Sequence, residues 1–208
     1  VLALMLIGLM NAQKVCAQGS TQKWAGHKPA QVAGAQAGSN DALFYLYNVG
    51  TGLYLSQGGI WGTCAVVSEA GIQFQSMTSV TNLTDLTGAY NLKTFVGSNA
   101  GANYVNFSNG INLQSPGYFF LDQYNTNGDK DFRYTSSYVF TEVSEGVYTI
   151  YATSKEGTGY TGTFYLSVND DNTCYGKQRT DADNKAVATT ITDKDKWIIV
   201  TKADIINN

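Results

Sequence analysis

The sequence predicts an all-β fold built from three four-stranded units, and three observations lead there. Only 14% of the residues are charged while 12% are aromatic, with fourteen tyrosines and 22 glycines. Tyr, Val and Thr suit a pleated surface, and Gly and Asn tolerate the dihedrals of tight turns, so this mixture favours short strands joined closely. Second, Leu43-Phe-Tyr-Leu-Tyr47, Ala89-Tyr-Asn-Leu-Lys93 and Val147-Tyr-Thr-Ile-Tyr151 each set an aromatic two residues before an aliphatic, the alternation of a strand with one buried face. Third, these segments recur. Their anchoring tyrosines, Tyr45, Tyr90 and Tyr148, lie 45 and 58 residues apart, and a repeat of that length is an architectural signal.

Each anchor strand is followed by a glycine-bearing turn and a second aromatic strand: Gly52-Leu-Tyr-Leu-Ser56, Asn103-Tyr-Val-Asn-Phe107 and Thr163-Phe-Tyr-Leu-Ser167. Third strands are expected at residues 64–67, within 111–121, and at 186–190. Each unit then closes on a strand with a large aromatic: Gly71-Ile-Gln-Phe-Gln75, Ser137-Tyr-Val-Phe-Thr141 and Lys196-Trp-Ile-Ile-Val200. The uneven period is absorbed by longer turns at 94–103, 125–131 and 156–162, since loops lengthen at small entropic cost.

Ahead of this domain, Val1-Leu-Ala-Leu-Met-Leu-Ile-Gly-Leu-Met10 has the length of a signal-peptide apolar core and is too short to span a bilayer. Val15 and Ala17 fit a cleavage site after Ala17, with Ala12 as the alternative. Residues 1–17 are therefore expected to be an export signal truncated at its start. Cys16 raises lipidation as an alternative, although Asn11-Ala-Gln-Lys-Val15 poorly matches the small apolar box that such processing needs. Residues 18–41, rich in Gly, Ala, Gln and Ser, read as a linker. The folded domain is expected over 42–204, with 205–208 starting a further segment or a tail. In an exported protein Cys64 and Cys174 can either bond or remain thiols.

The same residues exclude several classes of function. A net charge of −3 with dispersed Lys and Arg gives nucleic acid no basic surface, and no segment after the signal would insert into a membrane. The single histidine, His27, falls in the linker, so a His-based triad or multi-histidine metal site is excluded by number. Asp122, Asp129, Asp131, Glu142, Glu145, Asp170, Asp171, Asp181 and Asp183 could in principle pair as glycosidase carboxylates. Nearly all sit in turn-like company, where Asp serves the local backbone. Asn125-Thr-Asn-Gly-Asp-Lys-Asp131 approaches a calcium loop but offers Gln123 and Tyr134 where an acidic first and last ligand are required. No catalytic residue and no cofactor is expected.

What remains is binding. Tyr45-Leu-Tyr-Asn-Val-Gly-Thr-Gly-Leu-Tyr-Leu-Ser-Gln-Gly-Gly-Ile-Trp-Gly-Thr63 and Lys196-Trp-Ile-Ile-Val-Thr-Lys-Ala-Asp204 resemble the opening and closing strands of β-trefoil modules, the ricin-B-type lectin-like domains of exported Bacteroidota proteins. The resemblance covers roughly residues 43 to 204. It implies a six-stranded barrel capped by three hairpins, pseudo-threefold in organisation, and a carbohydrate-binding role within a larger multidomain protein. The family's Gln-x-Trp signature is missing: the closing strands read Ile72-Gln-Phe, Tyr138-Val-Phe and Asp195-Lys-Trp, and no repeat supplies the early Asp. Site residues are therefore chosen on chemistry alone. Trp61, in the glycine-rich Gly58-Gly-Ile-Trp-Gly62, is the candidate stacking platform for a sugar, with Asn48 and Gln57 as polar partners. Tyr118, Tyr124 and Asn125 form a weaker analogue in the second unit, as do Asn172 and Tyr175 in the third. The expected partner is a glycan or polysaccharide. The alternative is a structural or protein-interaction module that docks neighbouring domains and binds no sugar.

Overall fold

The computed structural model describes residues 43–58, 64–77, 89–94, 104–108, 118–122, 134–135, 137–153, 162–181, 183–201 and 204. The expected signal, the linker and Trp61 lie outside them, as do Tyr124 and Asn125. Thirteen strands are seen among the described residues: β1 (Leu43–Asn48), β2 (Leu53–Gly58), β3 (Cys64–Ser68), β4 (Phe74–Met77), β5 (Ala89–Thr94), β6 (Tyr104–Ser108), β7 (Tyr118–Asp122), β8 (Tyr134–Thr135), β9 (Ser137–Ser144), β10 (Val147–Thr153), β11 (Thr163–Val168), β12 (Cys174–Thr180) and β13 (Lys196–Thr201).

Six of them close a ring. β1 pairs with β4, β4 with β5, β5 with β9, β9 with β10, β10 with β13, and β13 returns to β1, every pair antiparallel. Closure leaves these strands no open edge. The other pairings build hairpins on the ring: β1–β2–β3, β5–β6–β7 and β10–β11–β12. The third strands of the hairpins then meet one another, through Cys64 opposite Phe120, Tyr175 opposite Tyr118, and a bridge between Val66 and Thr173.

The core follows strand parity. Phe44 and Leu46 of β1, Phe74 of β4, Tyr138 of β9, Tyr148, Ile150 and Ala152 of β10, and Trp197 and Ile199 of β13 meet in one buried cluster. Leu55, Ala65, Val67, Phe119, Phe164, Leu166, Val168 and Cys174 extend it into the hairpins. The indole N–H of Trp197 donates to the Leu166 carbonyl at 2.9 Å, so its one polar atom is satisfied inside the core.

Four sequence expectations change. The inward aromatic of the first strand is Phe44, fully buried, while Tyr45 lies half-buried on the opposite parity; two adjacent aromatics concealed which one anchors. The third strand of the third unit is β12, not residues 186–190, of which only Ala186 makes a bridge, to Thr180. Lys177, Gln178 and Arg179 make β12 look like a polar loop, yet Cys174, Gly176 and Thr180 are its buried positions. The strand closing the first unit starts at Phe74 instead of Gly71. The two-residue β8, paired with β6, has no counterpart among the expected strands.

Candidate functional site

The β1–β2 hairpin carries the first aromatic cluster. Tyr45 and Tyr47 alternate with inward Phe44 and Leu46, which places them on the outer face, and Tyr47 stands opposite Tyr54 in register. The rings meet edge to face, Tyr45–Tyr54 at 5.8 Å and Tyr47–Tyr54 at 5.3 Å between centroids, the preferred geometry for quadrupolar rings. All three are half-buried. The backbone at Gly71 closes one side: a Cβ there would come within 2.5 Å of the Tyr54 Cβ and 3.1 Å of the Tyr45 ring. Burial, then the neighbouring Tyr47 and Tyr45, raise the Tyr54 phenol above its ordinary range, so that phenol is neutral at physiological pH. Beside it, the hydroxyls of Ser56 and Ser68 both donate to the Ala70 carbonyl at 3.0 Å. Each keeps acceptor capacity for a ligand hydroxyl.

The polar partners chosen from sequence do not join this face. Asn48 is fully buried, and its amide is saturated: it donates to the carbonyls of Lys194 at 3.0 Å and Lys196 at 3.2 Å and accepts from the Thr51 N–H and Oγ1. Its work is structural, tying the β1–β2 turn to the approach to β13, and no donor or acceptor is left for a ligand. Gln57 is half-buried and shares strand parity with Leu55, opposite to Tyr54 and Ser56. Nearness in sequence misled here because adjacent strand residues face apart. In the third unit, Asn172 takes a left-handed turn conformation (φ 67°) and its carbonyl accepts from Val67 N–H. Tyr175 is half-buried opposite Tyr118.

Sequence reasoning also missed a buried polar centre. Asp195, which stands where the lectin signature would place Gln, is fully buried in a single 3-10 turn, Asp193–Asp195. It accepts from Ser167 Oγ, from Lys177 Nζ at 2.7 Å, and from the N–H and Oγ1 of Thr192 at 2.7 and 2.9 Å. Burial by itself pushes its carboxyl up, but hydrogen bonds from Lys177, Ser167 and Thr192 outweigh it and hold the group below its ordinary value. Lys177 also donates to the Thr190 carbonyl at 2.6 Å. Every oxygen of this carboxylate is engaged, so the centre is a clamp. The signal for it was the Thr192-x-x-Asp195 spacing of a capping box.

The acidic turns do local work as well. Asp171 accepts from the N–H and hydroxyl of Thr173, and these bonds lower its carboxyl from the ordinary value. Asp181 accepts from the N–H groups of Asp183 and Lys185, and Glu142 from that of Gly146. Among the described residues no group of three or more His, Cys, Asp or Glu converges on a metal-sized site. Cys64 and Cys174 are buried free thiols.

No protein-family model matches the chain, and neither does any curated protein sequence. Among solved structures, the receptor-binding domain of botulinum neurotoxin type G matches over 76% of this chain and 42% of its own, at 11% identity and a TM-score of 0.50. What it shares with this chain is a fold. That fold is β-trefoil-like, in keeping with the ring and its three hairpins. A salivary protein from Culex quiquefasciatus, of the Cysteine and Tryptophan-Rich family, matches at 13% identity over 76% of this chain and 92% of its own, with a TM-score of 0.48. Lysenin in complex with phosphocholine matches at 15% identity over 76% of this chain and 44% of its own, with a TM-score of 0.46. The chain thus spans less than half the length of the lysenin and neurotoxin structures it matches.

Proposed function

We propose that this chain is a non-catalytic carbohydrate-binding module of an exported bacterial protein. The observation that carries the reading is the half-exposed Tyr45–Tyr47–Tyr54 cluster with the Ser56 and Ser68 hydroxyls at its border. Flat rings accept the C–H face of a pyranose, and adjacent hydroxyls bond its rim. Trp61, three residues after β2 in sequence, lies outside the described residues and enters this reading on its chemistry alone, as a further stacking ring. The apolar residues 1–10 support export to the cell surface or periplasm, and the resemblance to ricin-B-type modules supports reading the three four-stranded units as internal repeats within a longer multidomain chain. The protein-interaction alternative would be favoured by an exposed apolar patch, whereas Val143 is the one exposed large hydrophobic among the described residues.

The test is a glycan array probed with the chain displayed multivalently, so that weak sites register. Reproducible binding to one glycan class, abolished by Trp61→Ala and weakened by Tyr54→Leu, is the expected result. A blank array from folded protein overturns the reading, and binding indifferent to both substitutions overturns the site.

A further inference from the structure

A second aromatic cluster lies on the third unit, separate from the core. Tyr151 of β10 stands opposite Tyr165 of β11, and their rings meet nearly perpendicular at 6.3 Å. Together with Val139 they form a small apolar group of their own. Arg179 of β12 lays its guanidinium over the Tyr151 ring, 4.2 Å from the centroid, and 6.0 Å from that of Tyr165. One Nη donates to Thr163 Oγ1 at 3.3 Å. That hydroxyl is fixed in turn by Thr180 Oγ1 at 2.8 Å, which also accepts the Thr163 N–H at 3.0 Å.

The guanidinium is thus held in place by two rings and a threonine pair, with no ion pair among the described residues. Among the described residues no carboxylate pairs with Arg179. Lys177, two residues back on the same parity, turns its ammonium to Asp195 and the Thr190 carbonyl. Asp181, two residues on, turns its Oδ1 to the N–H groups of Asp183 and Lys185 in the turn that follows. Arg179 is partly exposed, and of the five donors of a guanidinium only one is used among the described residues. A planar, stacked cation with its donor fork unspent matches a carboxylate in bidentate fashion. The adjoining Tyr165 ring, half-buried, offers an apolar face beside that charge.

We propose that Tyr151, Tyr165 and Arg179 form a second site, one that recognises an acidic sugar, with the ring of a uronic acid against Tyr165 and its carboxylate on Arg179. The proposal rests on the glycan-binding reading for the sugar and adds to it a requirement for charge and a different location. If Arg179 served only to cover the Tyr151 ring, its replacement would change stability but no ligand preference.

The experiment compares a galacturonic acid trisaccharide with its methyl ester, which keeps the sugar rings and linkages but carries no charge, by NMR titration of the full chain at low salt. The acid should bind roughly tenfold more tightly than the ester, the worth of one charge-assisted pair. Arg179→Gln should equalise the two, and Arg179→Lys should restore only part of the difference. Equal affinity of the wild-type protein for acid and ester overturns the proposal and requires no variant to fold. A preference that survives in folded Arg179→Gln overturns it as well. So does Arg179-dependent binding to phosphatidate vesicles without binding of the trisaccharide, which would make the site one for a lipid phosphate. Trp61→Ala should leave the acid preference intact, so loss of the first site and failure of this one give different results.

Discussion

Replacing Lys177 by Met keeps most of the aliphatic stem and removes the ammonium that faces Asp195, and the consequence can be worked from the geometry. Breaking a fully buried ion pair costs about 3–5 kcal/mol, because the surviving charge is left unpaired. Here the Lys177 side chain is 22% exposed and that of Asp195 is 0% exposed, and the carboxylate keeps Ser167 and both Thr192 donors. Screening and those remaining bonds place the loss nearer about 2–3 kcal/mol at pH 7. Part of it, the lost bond to the Thr190 carbonyl, does not depend on pH. The remainder does. The folded carboxyl lies below its unfolded value, near 3.9, so it contributes stability above that pH and loses it as pH falls through the folded value. In Lys177→Met burial is less offset, the folded value rises, and the gap between the two proteins narrows from pH 7 to pH 3. Urea denaturation at both pH values reads this directly. A gap of the same size at pH 3 as at pH 7 would mean that the ammonium does not stabilise the Asp195 carboxylate.

Further outcomes follow from other sites. The Tyr138 hydroxyl is buried without a hydrogen-bond partner among the described residues, so Tyr138→Phe should leave the urea midpoint unchanged or raise stability by about 1–2 kcal/mol; a clear loss would reveal a partner for that oxygen. Gly162 has φ +113° and a Cβ there would sit 2.0 Å from the Thr180 carbonyl oxygen. Gly162→Ala should cost at least about 2 kcal/mol from backbone strain and clash, and a neutral result by the same assay would contradict the turn geometry. Burial, with a smaller contribution from Cys64, pushes the Cys174 thiol far above its ordinary range, and burial raises Cys64 too. Both should resist a thiol reagent at pH 8 in the native protein and react once it is unfolded in urea, since only the thiolate attacks.

The fold was more legible in the sequence than the site, for a physical reason. Inward positions obey a period of two and are apolar whatever the function, so Leu46, Ile150 and Trp197 declare their strands. β12 escaped because its inward residues are Cys174, Gly176 and Thr180, small groups that fill a crowded junction without looking hydrophobic. The candidate site depended on which tyrosine faces outward, and Phe44-Tyr45 reads the same in either register until the pairing with β13 fixes it. Asn48 looked like a ligand for a sugar because an amide can bind one; only the positions of the Lys194 and Lys196 carbonyls, far away in sequence, show that it is already spent. Asp195 drew notice as a departure from a signature, and its partners Ser167 and Lys177 sit 28 and 18 residues away.

The seam between β1 and β13 also sets the order in which the chain can fold. Asn48 reaches across 146 residues to the Lys194 carbonyl, and Phe44 pairs with Thr201. On a ribosome or at an export channel, where residues emerge in sequence, β1 can meet β4 early but waits for nearly the whole domain before its second ring partner, β13, arrives. Hairpins such as β2–β3 can form at once, but the barrel cannot close. Contacts of such separation make folding slow, and an unclosed β1 exposes a strand edge during that wait. For a protein read as exported, late closure is useful: a chain that stays open until its last strand appears remains threadable until then.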